Sequence, residues 1–184
     1  MELMVQLTKM NKDAGGNMKK TKKMIFLSIL VTMALVIFLI EAQIPVLFPG
    51  MKLGLANSIS LVALLFLGWK EALIIMFLRT MLGSMFGGGL SAFMFSIAGG
   101  LLSNIVMILL YKYFKNHLSI PIISVCGAVF HNIGQLMVYA FILNDLKIYV
   151  YLPYLLVAAI VTGYFIGILA NVLKNRLEKI AILK

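Results

Sequence analysis

Apolar stretches long enough to cross a lipid bilayer recur about six times along this chain and leave little sequence over. A helix needs roughly 20 apolar residues to span the hydrocarbon layer, and a domain of 184 residues has no water-soluble interior large enough to hide six such stretches. Composition agrees. Hydrophobic residues make up 62% and charged residues 12% of the chain, with a mean hydropathy of +1.06, whereas soluble domains carry about 25% charged residues. The chain is expected to be an all-α integral membrane protein, a bundle of six transmembrane helices.

The expected spans are 24–48, 53–69, 71–86, 90–113, 120–143 and 149–172. The second and third are short and separated only by Gly68-Trp69-Lys70, which predicts a tight hairpin. Continuous apolar runs, rather than ten-residue alternations, argue against a β-barrel. Around the membrane domain of 24–172 the sequence predicts a flexible basic cytoplasmic tail over 1–23 and a basic cytoplasmic C-terminal tail over 173–184. A cleaved signal peptide does not fit, because the first apolar run is too long and no small-x-small site follows it before Pro45 and Pro49.

A formal net charge of +10 would suit a nucleic-acid binder, but its distribution points to the membrane instead. With the N-terminus inside, Lys9, Lys12, Lys19, Lys20, Lys22, Lys23, Lys70, Lys112, Lys115, Lys174, Arg176, Lys179 and Lys184 fall on the cytoplasmic side. Lys52 and Lys147 fall outside, and Arg79 falls within the membrane. The positive-inside rule then places both termini in the cytoplasm of a plasma-membrane protein. Lipid is the expected partner, and nucleic acid is not.

Polar side chains within a span are expensive and mark a bundle interior or a site. In the fifth span Gly127, His131, Gln135 and Tyr139 recur every four residues and share a face, with Asn132 about 100° round the helix. The stripe reads either as interhelical polar glue or as a binding surface. Arg79 needs a counter-charge or an anionic ligand. It forms either an ion pair with Glu41, which would make it structural, or the anchor of an anionic substrate. Asn57 and Ser58 bring further polar groups near the outer face, and Gly87, Gly88 and Gly89 form either a gate or a tight turn. Ser96, Gly99, Gly100 and Ser103, and separately Ala159, Gly163 and Gly167, have the spacing of close helix packing or of a docking face for a partner.

Enzyme chemistry finds few residues to work with. The only aspartates are Asp13 and Asp145, so no paired-carboxylate motif for magnesium-diphosphate chemistry is present. His117 and His131 alone make neither a metal site nor a Ser-His-Asp set. The glycine run lacks the Lys-Ser/Thr ending of a phosphate loop, and the single Cys126 excludes an intrachain disulfide. No catalytic residue, metal or cofactor is expected.

Six short helices with an inside N-terminus resemble the substrate-binding S components of energy-coupling factor (ECF) vitamin transporters. Residue by residue, the chain is more similar to the family called either "Gx transporter" or "heptaprenyl diphosphate synthase component I". The matching pieces are Gly54-Leu55-Ala56-Asn57, Gly68-Trp69-Lys70-Glu71-Ala72, Arg79 with Gly83, Ser96-Ile97-Ala98-Gly99-Gly100 with Ser103, and Gly127-Ala128 leading to His131-Asn132-Ile133-Gly134-Gln135. The transporter resemblance implies binding and uptake of a small, anionic molecule, with ECF-type coupling and ATPase subunits as partners. Arg79 would anchor the anion, Asn57, His131, Asn132 and Gln135 would hydrogen-bond it, and 87–89 would gate the pocket. The alternative implied is a non-catalytic membrane subunit in heptaprenyl diphosphate and menaquinone synthesis, or in flavin and quinone electron transfer, with a prenyl synthase as partner. S components usually dock through an Ala-xxx-Ala face on their first helix, where this chain has Ser28 and Thr32.

Overall fold

The computed structural model describes the backbone of residues 2–43, 54–87 and 89–180, and the side chains of 20–43, 54–86 and 89–176. Pro45, Pro49, Lys52 and Gly88 lie outside the described residues. The described chain is helical: α1 (Glu2–Glu41), α2 (Asn57–Phe66), α3 (Trp69–Gly87), α4 (Gly89–Phe114), α5 (Ile120–Leu143) and α6 (Leu152–Ile180), with a 3-10 segment Leu146–Tyr151 ahead of α6.

Four helical segments are long and apolar enough to cross a membrane: 20–41, 89–114, 120–143 and 146–176. The other two of the six expected spans do not reach that standard. At ten residues α2 is about 15 Å long, half the hydrocarbon thickness of about 30 Å, and residues 54–56 ahead of it form a turn that begins with Gly54 at φ +82°. Although α3 has 19 residues, it carries Lys70, Glu71 and Arg79. The expected hairpin between them is present as a turn at Leu67 and Gly68. Gly68 sits at φ +110° and its N–H bonds the Ala63 carbonyl, a left-handed glycine ending α2.

The terminal segments also differ from expectation. Helix α1 begins at Glu2 rather than near Met24, and α6 continues to Ile180. No proline interrupts either stretch, so a helix anchored in the apolar region propagates along it.

Side chains facing outward are apolar. Ile25, Ile29, Met33, Val36 and Ile40 on α1, and Val157, Ile160, Val161, Tyr164, Phe165, Ile168 and Leu169 on α6, are all exposed. Only lipid solvates such surfaces without penalty. Inside, helix pairs approach closely where side chains are small. A Cβ on Gly134 would lie 2.9 Å from the Ala98 carbonyl oxygen, and one on Gly163 would lie 2.8 Å from the Val125 Cα. Gly167 meets Pro121 in the same way, and Ala159 is buried. The α4–α5 and α5–α6 pairs are the most extensive in the bundle. The small-residue stripe of α6 therefore serves internal packing against α5.

Basic residues gather at one end. Lys23 bridges Glu71, which sets the start of α3 beside α1, and Lys115 and Lys174 line one cleft, joining the α4–α5 turn to the end of α6. Lys147 stands at the opposite end, ahead of α6.

Candidate functional site

Two apolar clusters divide the bundle along its length. Toward the basic end lies one that includes Leu30, Ile59, Leu61, Ile75, Met107 and Ile123. Toward the other end lies one that includes Phe95, Leu136, Tyr139, Ile148 and Leu155. Along α2, α3, α4 and α5 the polar residues Asn57, Arg79 and His131 and the small pair Gly99-Gly100 fall between these clusters, or at the outer edge of the first.

The contacts among them close a ring. Arg79, 2% exposed, donates from Nη2 to Asn57 Oδ1 at the first residue of α2. The Asn57 N–H bonds the Gly54 carbonyl at 2.9 Å. Gly54 in turn lies against the His131 ring, where a Cβ would come within 2.8 Å of Cδ2. The other side of that ring meets Gly99, where a Cβ would lie 2.8 Å from Nδ1. Next to Gly99, Gly100 returns to Arg79, with 3.7 Å from its would-be Cβ to Nη2. Only glycine leaves room for the imidazole between α4 and the turn before α2. Gln135, one helical turn beyond His131, brings Nε2 to 3.0 Å from the imidazole Nε2.

Glu41, 2% exposed at the end of α1, accepts from the N–H groups of Gly54 and Leu55. It tethers α1 to the turn before α2, and its charge attracts that of Arg79 at longer range. A relay links Glu41 to Arg79. The hydrogen bond of Arg79 goes to Asn57, and Glu41 holds the backbone from which Asn57 starts. A charge this deep is tolerated when opposite charge and hydrogen bonds surround it.

Asn132 is buried but points elsewhere, donating from Nδ2 to the Leu155 carbonyl of α6 at 2.9 Å. Tyr139, the last member of the α5 stripe, stacks on Phe95 with ring centroids 4.4 Å apart. Gly87 ends α3 and Gly89 begins α4 at φ +64°, with Gly88 between them outside the described residues. The structure therefore joins Asn57, Arg79, His131 and Gln135 in one layer and directs Asn132 to α6.

Sequence reading missed several members of this interior. Ser60, Thr80 and Asn104 are buried with no exposed surface. Helical spacing could have found two of them: Ser60 lies one turn from Asn57, and Asn104 is one turn from Gly100, whose carbonyl it bonds at 2.9 Å. Arg79 Nε, Asn57 Nδ2, Asn104 Oδ1 and the hydroxyls of Ser60, Thr80, Ser96 and Ser103 have no hydrogen-bond partner among the described residues. The layer has donors and acceptors to spare, and each left unmet costs about 1–3 kcal/mol. Among the described residues no three His, Cys, Asp or Glu side chains come together as a metal site would require.

The family model for heptaprenyl diphosphate synthase component I matches residues 30–173. The chain belongs to that family. The match runs from the middle of α1 to the lower part of α6 and takes in the whole ring around Arg79 and His131. No curated protein and no solved structure matches the chain.

Proposed function

We propose that this family member is a multi-pass plasma-membrane subunit that works beside a separately encoded prenyl diphosphate synthase and does not itself catalyse chain elongation. The family match over 30–173 carries this reading. Two further observations support it. Four of its helices suit a membrane anchor, and with Asp13 and Asp145 as its only aspartates the chain lacks the carboxylate clusters that hold magnesium diphosphate. In this reading α2 and α3 enter the bilayer as a short hairpin, completing six crossings. The basic end and both termini face the cytoplasm, where a soluble synthase would dock. The test is co-expression with the prenyl synthase of the same cell. Co-purification of the two chains, with altered prenyl product when this chain is deleted, is the expected result. Independent migration with unchanged product would overturn the proposal.

A second reading is uptake of a small anionic molecule in the manner of an ECF S component, with coupling and ATPase subunits. The spare donors and acceptors around Arg79 and Asn57 favour it. Here Arg79 anchors the anion, Asn57, His131 and Gln135 orient it, and residues 87–89 gate the site. Native mass spectrometry of the gently extracted protein tests it. A defined small molecule lost in Arg79→Ala and His131→Ala supports uptake, and a stoichiometric synthase with no such molecule returns the balance to the subunit reading.

A further inference from the structure

The seam between α3 and α4 is close-packed and polar at once. The two helices run antiparallel, and a Cβ on Gly100 of α4 would lie 3.0 Å from Met76 Sδ and 3.7 Å from Arg79 Nη2, both on α3. Thr80 lies one turn beyond Met76 and Ser96 one turn before Gly100, so helical register brings these two to one level of the seam. Ser60, one turn from Asn57 on α2, and Asn104, one turn from Gly100 on α4, extend the polar file toward the basic end. Each of these polar residues is at most 6% exposed. Among the described residues Arg79 Nε, Asn57 Nδ2, Asn104 Oδ1 and the hydroxyls of Ser60, Thr80 and Ser96 meet no hydrogen-bond partner. Lipid cannot supply one.

The unmet groups are of opposite kinds. Arg79 Nε and Asn57 Nδ2 only donate, Asn104 Oδ1 only accepts, and the hydroxyls do either. An anion would answer the donors and be repelled by Asn104 Oδ1, whose amide is held in that sense by the bond from Nδ2 to the Gly100 carbonyl. It would also add a second negative charge to a layer in which Glu41 already opposes Arg79. A metal cation would face the guanidinium. Water both donates and accepts, and it brings no charge. The walls set the same limit on size. A Cβ at Gly54 or Gly99 would come within 2.8 Å of the imidazole between them, and helices this close leave gaps suited to single waters rather than to an organic ligand. We infer that the α3–α4 seam binds a short file of about two to three water molecules, each making about three hydrogen bonds, that joins Arg79 Nε and Asn57 Nδ2 to Asn104 Oδ1, Ser60, Thr80 and Ser96. The layer is the one that the uptake reading assigns to an anion, but the inference does not rest on that reading. Bound water keeps Arg79 charged whichever partner the protein serves, and an arriving anion has to displace it.

Met76 is a built-in reporter, because it is 1% exposed and its sulfur meets Arg79 Nη2 at Gly100. The experiment is X-ray radiolytic footprinting of the full chain in dodecyl maltoside micelles, in solution and frozen. In the frozen sample radicals made in bulk water do not diffuse, so only water already in contact oxidises a methionine. Met85, 72% exposed at the end of α3, reports the dose, and the exposed Met33 and Met137 report methionine covered by detergent. Met76 is expected to be oxidised several times faster than Met33 and Met137 in both samples, and Ser60→Ala with Thr80→Val to lower its rate. A wild-type rate at Met76 no higher than at Met33 and Met137 would mean a dry seam and overturn the inference. A fast rate that the double variant leaves unchanged would place the water elsewhere and overturn it too. Loss of Met76 oxidation on adding sodium chloride, with Met85 unaffected, would make a monatomic anion the occupant instead. The wild-type comparison decides by itself should the double variant fail to fold.

Discussion

The α5–α6 seam and the layer around Arg79 are buried in the same bundle and are held by opposite means. Along the seam, Gly163 and Gly167 bring α6 against the backbone of α5 at Val125 and Pro121, with only the small side chains of Ala128 and Ser124 beside them. Around Arg79, charge and hydrogen bonds connect α1, the turn before α2, α2 itself and α3, and His131 adds α4 and α5. Lipid tails are as apolar as a leucine, so burial alone gives little reason for helices to associate in a membrane. Close packing between small residues provides adhesion at the seam. Polar groups with no other outlet provide it in the layer, and they also fix which helix meets which.

Substitutions can separate the two modes. The largest expected effect is in the layer: Arg79→Ala strands the buried Glu41 charge and should destabilise the protein by about 3–5 kcal/mol, read from unfolding in mixed micelles. Adding Glu41→Gln should restore a clear part of that loss. If the double variant is simply the sum of its singles, charge does not couple α1 to α3. Next comes the seam, where Gly163→Val places a side chain against the α5 backbone and should cost about 1–3 kcal/mol. A neutral outcome there would mean that α6 can shift freely and that the seam is not close-packed. Asn132→Ala, which removes one interhelical hydrogen bond to Leu155, should cost only about 0.6 kcal/mol. A loss as large as that of Arg79→Ala would place Asn132 within the layer's network after all. The smallest effect is expected at the rim. Lys23→Ala breaks the pair with Glu71 at the membrane edge, and its cost should stay below about 1 kcal/mol and fade with added salt.

Much of the helical layout was legible because the apolar runs have the length of the membrane. The α5 boundaries, 120–143, follow directly from the run between Ser119 and Asn144, and α4 differs from expectation by one residue at each end. Helix α2 was read too long because a hydropathy run does not register that Gly54 adopts a left-handed backbone ahead of it. Pairing within the site was harder. The His131–Gln135 contact follows from helical spacing alone, whereas Arg79 to Asn57 joins positions 22 apart through a hairpin whose register depends on the Leu67–Gly68 turn. Glu41 looked like the partner of Arg79 because it was the nearest acid by depth. Its place at the end of α1 instead gives it two backbone N–H groups to accept from.

The Leu67–Gly68 turn also bears on how such a chain enters a bilayer during synthesis. An arginine at the centre of a lone helix costs about 2.5–3.5 kcal/mol on the insertion scale, and α3 alone would meet that cost in full. Its hydrogen-bonding partner is carried by α2, which is synthesised first and is separated from α3 by two residues. The two helices can therefore leave the insertion machinery as one unit with Asn57 already at the level of Arg79. The turn thereby turns an unfavourable single crossing into a tolerable paired one, and lengthening it should impair the yield of inserted protein before it affects the stability of what has been inserted.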